Sequence, residues 1–451
     1  MVNFYFNAFQ NMGVVYQNQQ RPGAGQAYSF AQAGSAYAST PNFQGNFWGA
    51  INNLDSTLGF GQNNSGGGFF NNICNFFGFG NSASAVAGNN QQLFNSGWNV
   101  AQAAAGNNNS LYGYGFNNTA QAVSGSGNYA YGQGFNVSQA ASGAGNQLVA
   151  NSWGNTNQSV NGYGNTAQGN GLWVNQNATG AGNTLIGNGI FGNNQQVTGY
   201  GNTAIANGDG AQQQAVGYGN NLQANGSNAQ QGIMGDGNTA VANGNNANQG
   251  VMGNGNTVVA TGENAQQYAW GTDNTLVAEG DNATQVALNG DNTLVANGDN
   301  NFQMTGDGND TITTGGGVVY AGAGDDVVNV NAGAGETFVD LGEGDDIINI
   351  TMNEQNGSIT VHGGEGNDHA NIHDNTYDGT EWNVDFNAEG EDSNFTIMVG
   401  GNSYIIGNDM ESLSLYNANG EMILDIANMS EWQAQQLAAQ QAAAAETAAA
   451  A

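Results

Sequence analysis

Small apolar and polar residues alternate in short runs along the chain, and the runs return at a fixed interval. Thr239-Ala240-Val241-Ala242, Thr257-Val258-Val259-Ala260, Thr275-Leu276-Val277-Ala278 and Thr293-Leu294-Val295-Ala296 each start 18 residues after the one before. Such runs are β-prone, and Gly-rich steps such as Gly235-Asp236-Gly237 and Gly253-Asn254-Gly255 bound them. Glycine supplies turns there because it reaches positive φ without steric cost. Two short strands and two turns per period predict a flattened coil.

Polar positions keep the same interval. Asn202, Asn220, Asn238, Asn256, Asn274 and Asn292 form one column, and Gln195, Gln213, Gln231, Gln249, Gln267, Gln285 and Gln303 another. Asn228, Asn246, Asn264, Asn282 and Asn300 make a third. A residue that recurs once per coil stacks on its own copy. Stacked amides donate to one neighbour and accept from the other, so an inward column satisfies itself. The expected fold class is therefore all-β: a parallel β-solenoid or β-roll with 18 residues per coil, a small non-repeat β cap and a short C-terminal helix. Looser copies reach back to about Gly97, with occasional one-residue insertions.

A second motif begins after residue 304. Gly306-Asp307-Gly308-Asn309-Asp310, Gly322-Ala323-Gly324-Asp325-Asp326, Gly342-Glu343-Gly344-Asp345-Asp346 and Gly364-Glu365-Gly366-Asn367-Asp368 share one pattern, each followed by a strand-like run. A degenerate copy, Ala332 to Asp340, has Thr337 where the others have Asp. The expected organisation is an aromatic, uncharged cap or assembly segment over 1–96 and an Asn/Gln-ladder solenoid over 97–304. A motif-bearing coil stack then covers 305–371, a β cap 372–430, and a Gln/Ala-rich tail 431–451.

Charge narrows the partners. Among 451 residues there is one basic side chain, Arg21, against 34 acidic ones, for a formal net charge of −33. Nucleic acid and anionic membrane surfaces are excluded, because both need clustered Lys and Arg. Cations are the natural partners. Before residue 200 only Asp55 is acidic, so little charge opposes self-association there. No apolar stretch approaches the roughly 18 residues of a membrane span. The single cysteine, Cys74, forms no internal disulfide. The start of the chain lacks the basic and apolar regions of a conventional signal peptide.

No His-Glu-x-x-His, Gly-x-Ser-x-Gly or P-loop motif occurs, so no enzyme is expected. His362, His369 and His373 lie in or beside the last acidic motif and are read as surface or cap histidines. The aromatic start, with Phe4, Tyr5, Phe47, Trp48, Phe69 and Phe76 among others, is read as an end cap or a contact between subunits.

The acidic motif resembles the RTX (haemolysin-type) nonapeptide, Gly-Gly-x-Gly-x-Asp-x-U-x with U a large apolar residue. That resemblance implies a parallel β-roll with Ca²⁺ in its turns, held by Asp carboxylates and backbone carbonyls. The implied ligand region comprises Gly306, Gly308, Asn309, Asp310, Gly322, Gly324, Asp325, Asp326, Gly342, Gly344, Asp345, Asp346, Gly364, Gly366, Asn367 and Asp368. Asp310, Asp326, Asp346 and Asp368 are the implied carboxylate ligands. RTX proteins are typically exported by a type I route, which implies an extracellular or cell-surface location and makes the tail a candidate export signal. The upstream columns resemble the curlin repeats of bacterial functional amyloids, as in Gly235-Asp236-Gly237-Asn238-Thr239-Ala240 followed by Asn246 and Gln249. This second resemblance implies self-assembly into extracellular fibres.

The combined expectation is a secreted structural protein. It would polymerise with itself into a filament or biofilm-matrix fibre, stabilised by calcium. The alternatives are an S-layer-like tile or adhesin stalk, and an ice-binding protein presenting the Thr239, Thr257, Thr275 and Thr293 ladder.

Overall fold

The computed structural model describes residues 80–332, 336–352, 358–375, 383–387, 394–399, 403–428, 431–432, 434–435 and 438–439. It divides into two compact units, Met1–Met234 and Gly235–Ala451. Each is a parallel β-solenoid.

In the first unit, parallel pairing begins with Ser82–Ala87 lying on Gln92–Ala105, Ser82 opposite Val100. Pairing therefore starts ahead of residue 97, where the period first becomes legible. The expected N-terminal cap up to residue 79 lies outside the described residues. Further coils follow in register: Tyr129–Gly134 pairs with Gln147–Ser152, and Asn136–Ala144 with Asn155–Tyr163. Alternate side chains of each strand point inward, as the strand period of two requires. Gln102, Gln121, Gln139, Gln158, Gln176, Gln195, Gln213 and Gln231 are all buried. Each Nε2 from Gln121 onward donates to the Oε1 of the Gln before it, at 2.6 or 2.7 Å. The same Nε2 atoms reach carbonyls across the coil; Gln139 donates to Ala130 O at 3.0 Å and Val149 O at 2.9 Å. A glutamine here is thus a rung that ties both faces together.

Coils from Gln102 to Gln213 alternate between 19 and 18 residues. The extra residue falls at one corner, where register shifts between Gly97 and Asn99 and between Gly171 and Trp173. The core follows the alternation: the column Leu111, Ala130, Leu148, Ala167, Leu185, Ala204, Leu222 is fully buried. Large and small residues thus interleave up the core, which keeps it filled without overpacking.

The second unit opens with 18-residue coils of its own. Thr239–Ala242, Thr257–Ala260, Thr275–Ala278 and Thr293–Ala296 stack in register with Thr and Val outward. From Gln303 the Gln column gives way to aliphatic side chains. Val319 pairs with Gln303, then Val339 and Val361 follow in the same column. Beside them Leu294, Ile312, Val328, Ile348, Ala370 and Leu413 form a buried aliphatic column. The stack ends in a turned-back cap, where Asn394–Val399 pairs antiparallel with both Asn383–Asn387 and Ser403–Asn408. Met422–Ile426 pairs antiparallel with Ser412–Tyr416.

The expected short C-terminal helix is corrected: of 431–451 only 431–432, 434–435 and 438–439 are described, and although these have helical backbone no helical element is defined there. Glu431 and the residues at 434, 435, 438 and 439 are exposed. Isolated short helices are marginal without a buried face.

Candidate metal site in the aspartate corners

The four acidic motifs fall on one corner of the second unit, one above another. Every motif glycine except Gly306 has positive φ, for example +125° at Gly324 and +144° at Gly344. The stack leaves no room for a side chain: a Cβ on Gly324 would sit 2.7 Å from the Gly308 carbonyl carbon and 3.0 Å from Asn309 Oδ1.

Two columns of side chains rise along this corner. The outer one is exposed: Asp325 N–H donates to Asn309 Oδ1, Asp345 N–H to Asp325 Oδ1, and Asn367 N–H to Asp345 Oδ1, each at 3.0 Å. The inner one is buried and runs with opposite polarity. Asn292 N–H donates to Asp310 Oδ1 at 2.6 Å, Asp310 N–H to Asp326 Oδ1 and Asp326 N–H to Asp346 Oδ1 at 2.7 Å. Asp346 N–H donates to Asp368 Oδ1 at 3.0 Å, and Asp368 N–H to Glu411 Oε2 at 2.7 Å.

Asp310, Asp326, Asp346 and Asp368 are at most 1% exposed. In all four, Oδ2 is buried without any hydrogen-bond partner. Four orphaned carboxylate oxygens on one column require a compensating group, because buried polar atoms are otherwise paired. Burial is the largest influence on their protonation. It pushes Asp310, Asp326 and Asp368 up to about 7, and Asp346 also upward, against the backbone N–H bonds that lower them and, at Asp310, the nearby Thr305 and Asn292 side chains. Neighbouring carboxylates add to the upward shift, Asp310 and Asp346 acting on Asp326.

Among the described residues no three His, Cys, Asp or Glu side chains converge as a metal cage. Soft or tetrahedral coordination therefore has no side-chain set among the described residues. A hard cation that takes carboxylate together with carbonyl and water oxygens suits this donor set. The histidines have other partners: His369 Nδ1 lies 2.7 Å from Ser412 Oγ and its Nε2 3.0 Å from Asn371 Oδ1, while His373 stacks on Tyr416. His362 lies against the Phe338 ring, with Asn408 Nδ2 at 3.2 Å.

The sequence-derived residues separate into the buried carboxylates, the exposed outer column (Asn309, Asp325, Asp345, Asn367) and the glycines between. Thr337, at the Asp position of the degenerate copy, lies within the strand Glu336–Glu343 instead. Two members of the columns carried no motif: Asp291, whose Oδ1 accepts from Asn309 N–H at 2.9 Å, and Glu411. Asp291 was findable, since it lies 18 residues before Asn309. Glu411 had no such signal, because the cap brings it in from 43 residues beyond Asp368. Comparison with protein-family models, curated proteins and solved structures finds no match to this chain.

Proposed function

We propose that this chain is a non-enzymatic structural protein of the extracellular space or cell surface, exported by a type I route, which polymerises with itself into a filament or matrix fibre. Calcium ions at the inner corner column stabilise its C-terminal coils. The observation that carries the metal part is the column of four buried Asp Oδ2 atoms without partners. Asp310, Asp326, Asp346 and Asp368 would supply the carboxylate oxygens, and the glycine corners their carbonyls. Bound calcium would neutralise carboxylates that otherwise sit uncharged or unpaired in a dry environment. An ion that binds only the folded corner stabilises the fold by mass action. In a low-calcium compartment the acidic coils would stay open, and outside it they would close.

The test is to purify the chain in EDTA, add millimolar Ca²⁺, and follow circular dichroism with negative-stain electron microscopy. A gain of β signal together with filaments of uniform width supports the reading. Absence of any calcium response rules out the metal role, and folding without filaments rules out the polymer.

A second reading, ice binding, is favoured by one observation. Thr239, Thr257, Thr275 and Thr293 stand in register on an outward strand face, each partly exposed, with Val two residues on. Thermal hysteresis in the purified protein separates it from the structural role.

A further inference from the structure

At the corner of the first unit that takes the inserted residues, six successive coils each place an aromatic ring outward: Trp98, Phe116, Phe135, Trp153, Trp173 and Phe191. Their exposures are 39%, 69%, 53%, 76%, 50% and 59%. Two neighbouring pairs of these rings are in contact. Trp98 and Phe116 stack with centroids 4.9 Å apart, and Trp173 and Phe191 meet at 6.0 Å. Phe135 lies so close over Gly154 of the next coil that a Cβ there would be 3.2 Å from its ring, and Trp173 covers Gly192 at 3.0 Å by the same measure. Insertions at this corner in alternate coils thus widen it where the rings stand, and glycine in the coil above seats them.

This edge is not a by-product of the repeat. One coil on, the corner reads Gly208-Asp209-Gly210, with Asn207 stacked on Asn188 and no aromatic residue. The aromatic edge spans roughly 25 Å at the usual strand spacing. Rings of this size, five of the six half or more exposed, present on the order of 800 Å² of mostly apolar surface. A typical monomer's largest patch is smaller, and each side of a standard interface buries about that much.

We propose that this edge is a lateral contact surface whose occupant is a second copy of the chain, joined edge to edge about a two-fold axis. The area matches what one partner contributes to a stable dimer. Charge selects the partner: Asp209 is the only carboxylate side chain among the described residues of the first unit. Two first units therefore meet without like-charge repulsion, whereas a meeting with the carboxylate-rich second unit would desolvate charge for no partner. A two-fold contact is self-complementary and closes, so it pairs copies without consuming the ends of the stack. The inference rests on the reading that this chain associates with itself, and adds a sideways contact to an end-to-end one.

The test uses the full chain in calcium-containing buffer at neutral pH, over a hundredfold range of concentration. Sedimentation velocity gives the oligomeric state and negative-stain microscopy the lateral pairing. The Phe135→Ser, Trp153→Ser, Phe191→Ser triple variant is expected to weaken dimerisation at least tenfold, and microscopy to show single rather than paired filaments. Trp153→Asp alone, at the most exposed ring, should do the same through repulsion, more strongly at low salt. If circular dichroism shows the triple variant misfolded, Trp153→Asp carries the test. Association unchanged in both variants overturns the proposal. Dimers that depend on the edge in a protein that never forms filaments support the contact and sink the filament reading alone. A monomeric wild type retained on insoluble cellulose or chitin through these rings overturns the second copy in favour of a neutral polysaccharide. A monomer that is not retained overturns the edge as a contact.

Discussion

Two stretches of the second unit use the same corner with different chemistry. At Asn238, Asn256 and Asn274 each backbone N–H donates to the next Asn Oδ1, at 2.9, 3.0 and 3.1 Å. At Asp310, Asp326 and Asp346 each donates to the next Asp Oδ1 in the same way. The stretches part at the second side-chain atom. Asn238 and Asn256 Nδ2 also donate to the next rung, at 3.2 and 3.1 Å. Every Asp Oδ2 is orphaned. The core changes alongside, from a Gln column that hydrogen-bonds across the coil to Val319, Val339 and Val361, which do not. Most amide rungs thus satisfy one another, although Asn274 Nδ2 also lacks a partner. Aspartate coils leave one buried carboxylate oxygen unpaired at each of the four levels.

Replacing all four aspartates by asparagine should break that difference, and is the largest effect expected. Asp310→Asn, Asp326→Asn, Asp346→Asn and Asp368→Asn together convert the column to the amide type, which carries no charge to neutralise. If the column holds calcium as proposed, each ion at a hundred times its Kd would contribute about 2.7 kcal/mol, and EDTA should then open these coils. The quadruple variant should melt at the same temperature with and without calcium. Hydrogen exchange over Val327–Ala332 and Ile347–Met352 reads the relevant coils directly. A variant that still needs calcium would show that the ion sits elsewhere.

Acidity should act next most strongly, with opposite sign in the presence and absence of the ion. Burial raises Asp310, Asp326 and Asp368 to about 7, above the value near 3.9 of an unfolded Asp. The folded state thus holds these protons more tightly than the unfolded one. Their contribution is fully present below about pH 4 and is lost as pH rises through about 7. In EDTA the aspartate coils should melt higher at pH 5 than at pH 8. In calcium the order should reverse, because protons compete with the ion. Melts at the two pH values, with and without calcium, make the check.

The coils were legible in the sequence because stacking demands the same side chain at the same interval. Gln249, Gln267, Gln285 and Gln303 announce themselves by spacing alone. The continuity of the Asn and Asp columns was hidden, since the steps beyond Asp310 are 16, 20 and 22 residues. Ala296 pairs with Thr314 but Asn301 with Gly317, so the first of these length changes is absorbed at the far corner and the aspartates stay aligned. The Leu/Ala alternation of the first unit was masked by the insertions that accompany it. The aromatic edge escaped for a different reason: its rings fall where the count slips, so no fixed interval marks them.

The smallest effects divide the coil's inside from its outside. Gln267 Nε2 donates to Gln249 Oε1 at 2.9 Å, Val258 O at 3.2 Å and Val277 O at 2.9 Å, while its own Oε1 accepts from Gln285 at 2.7 Å. Gln267→Ala removes all four bonds from a buried site, Gln285 Nε2 keeping only Val295 O at 3.0 Å, and should cost about 3 kcal/mol in chemical denaturation. Gln303 is the last rung, and its Oε1 already lacks a partner. Gln303→Leu meets Val319 on its far side and should cost about 1 kcal/mol, since it loses donors but fills a dry neighbour. Thr257, in the outward row, should tolerate Thr257→Ala within about 0.5 kcal/mol. Equal losses at Gln267 and Gln303 would mean that the rungs act singly, and that the end of the amide ladder is no boundary. A Thr257→Ala loss as large as that of Gln267→Ala would mean that the Thr row is packed against something, in solution, that covers it.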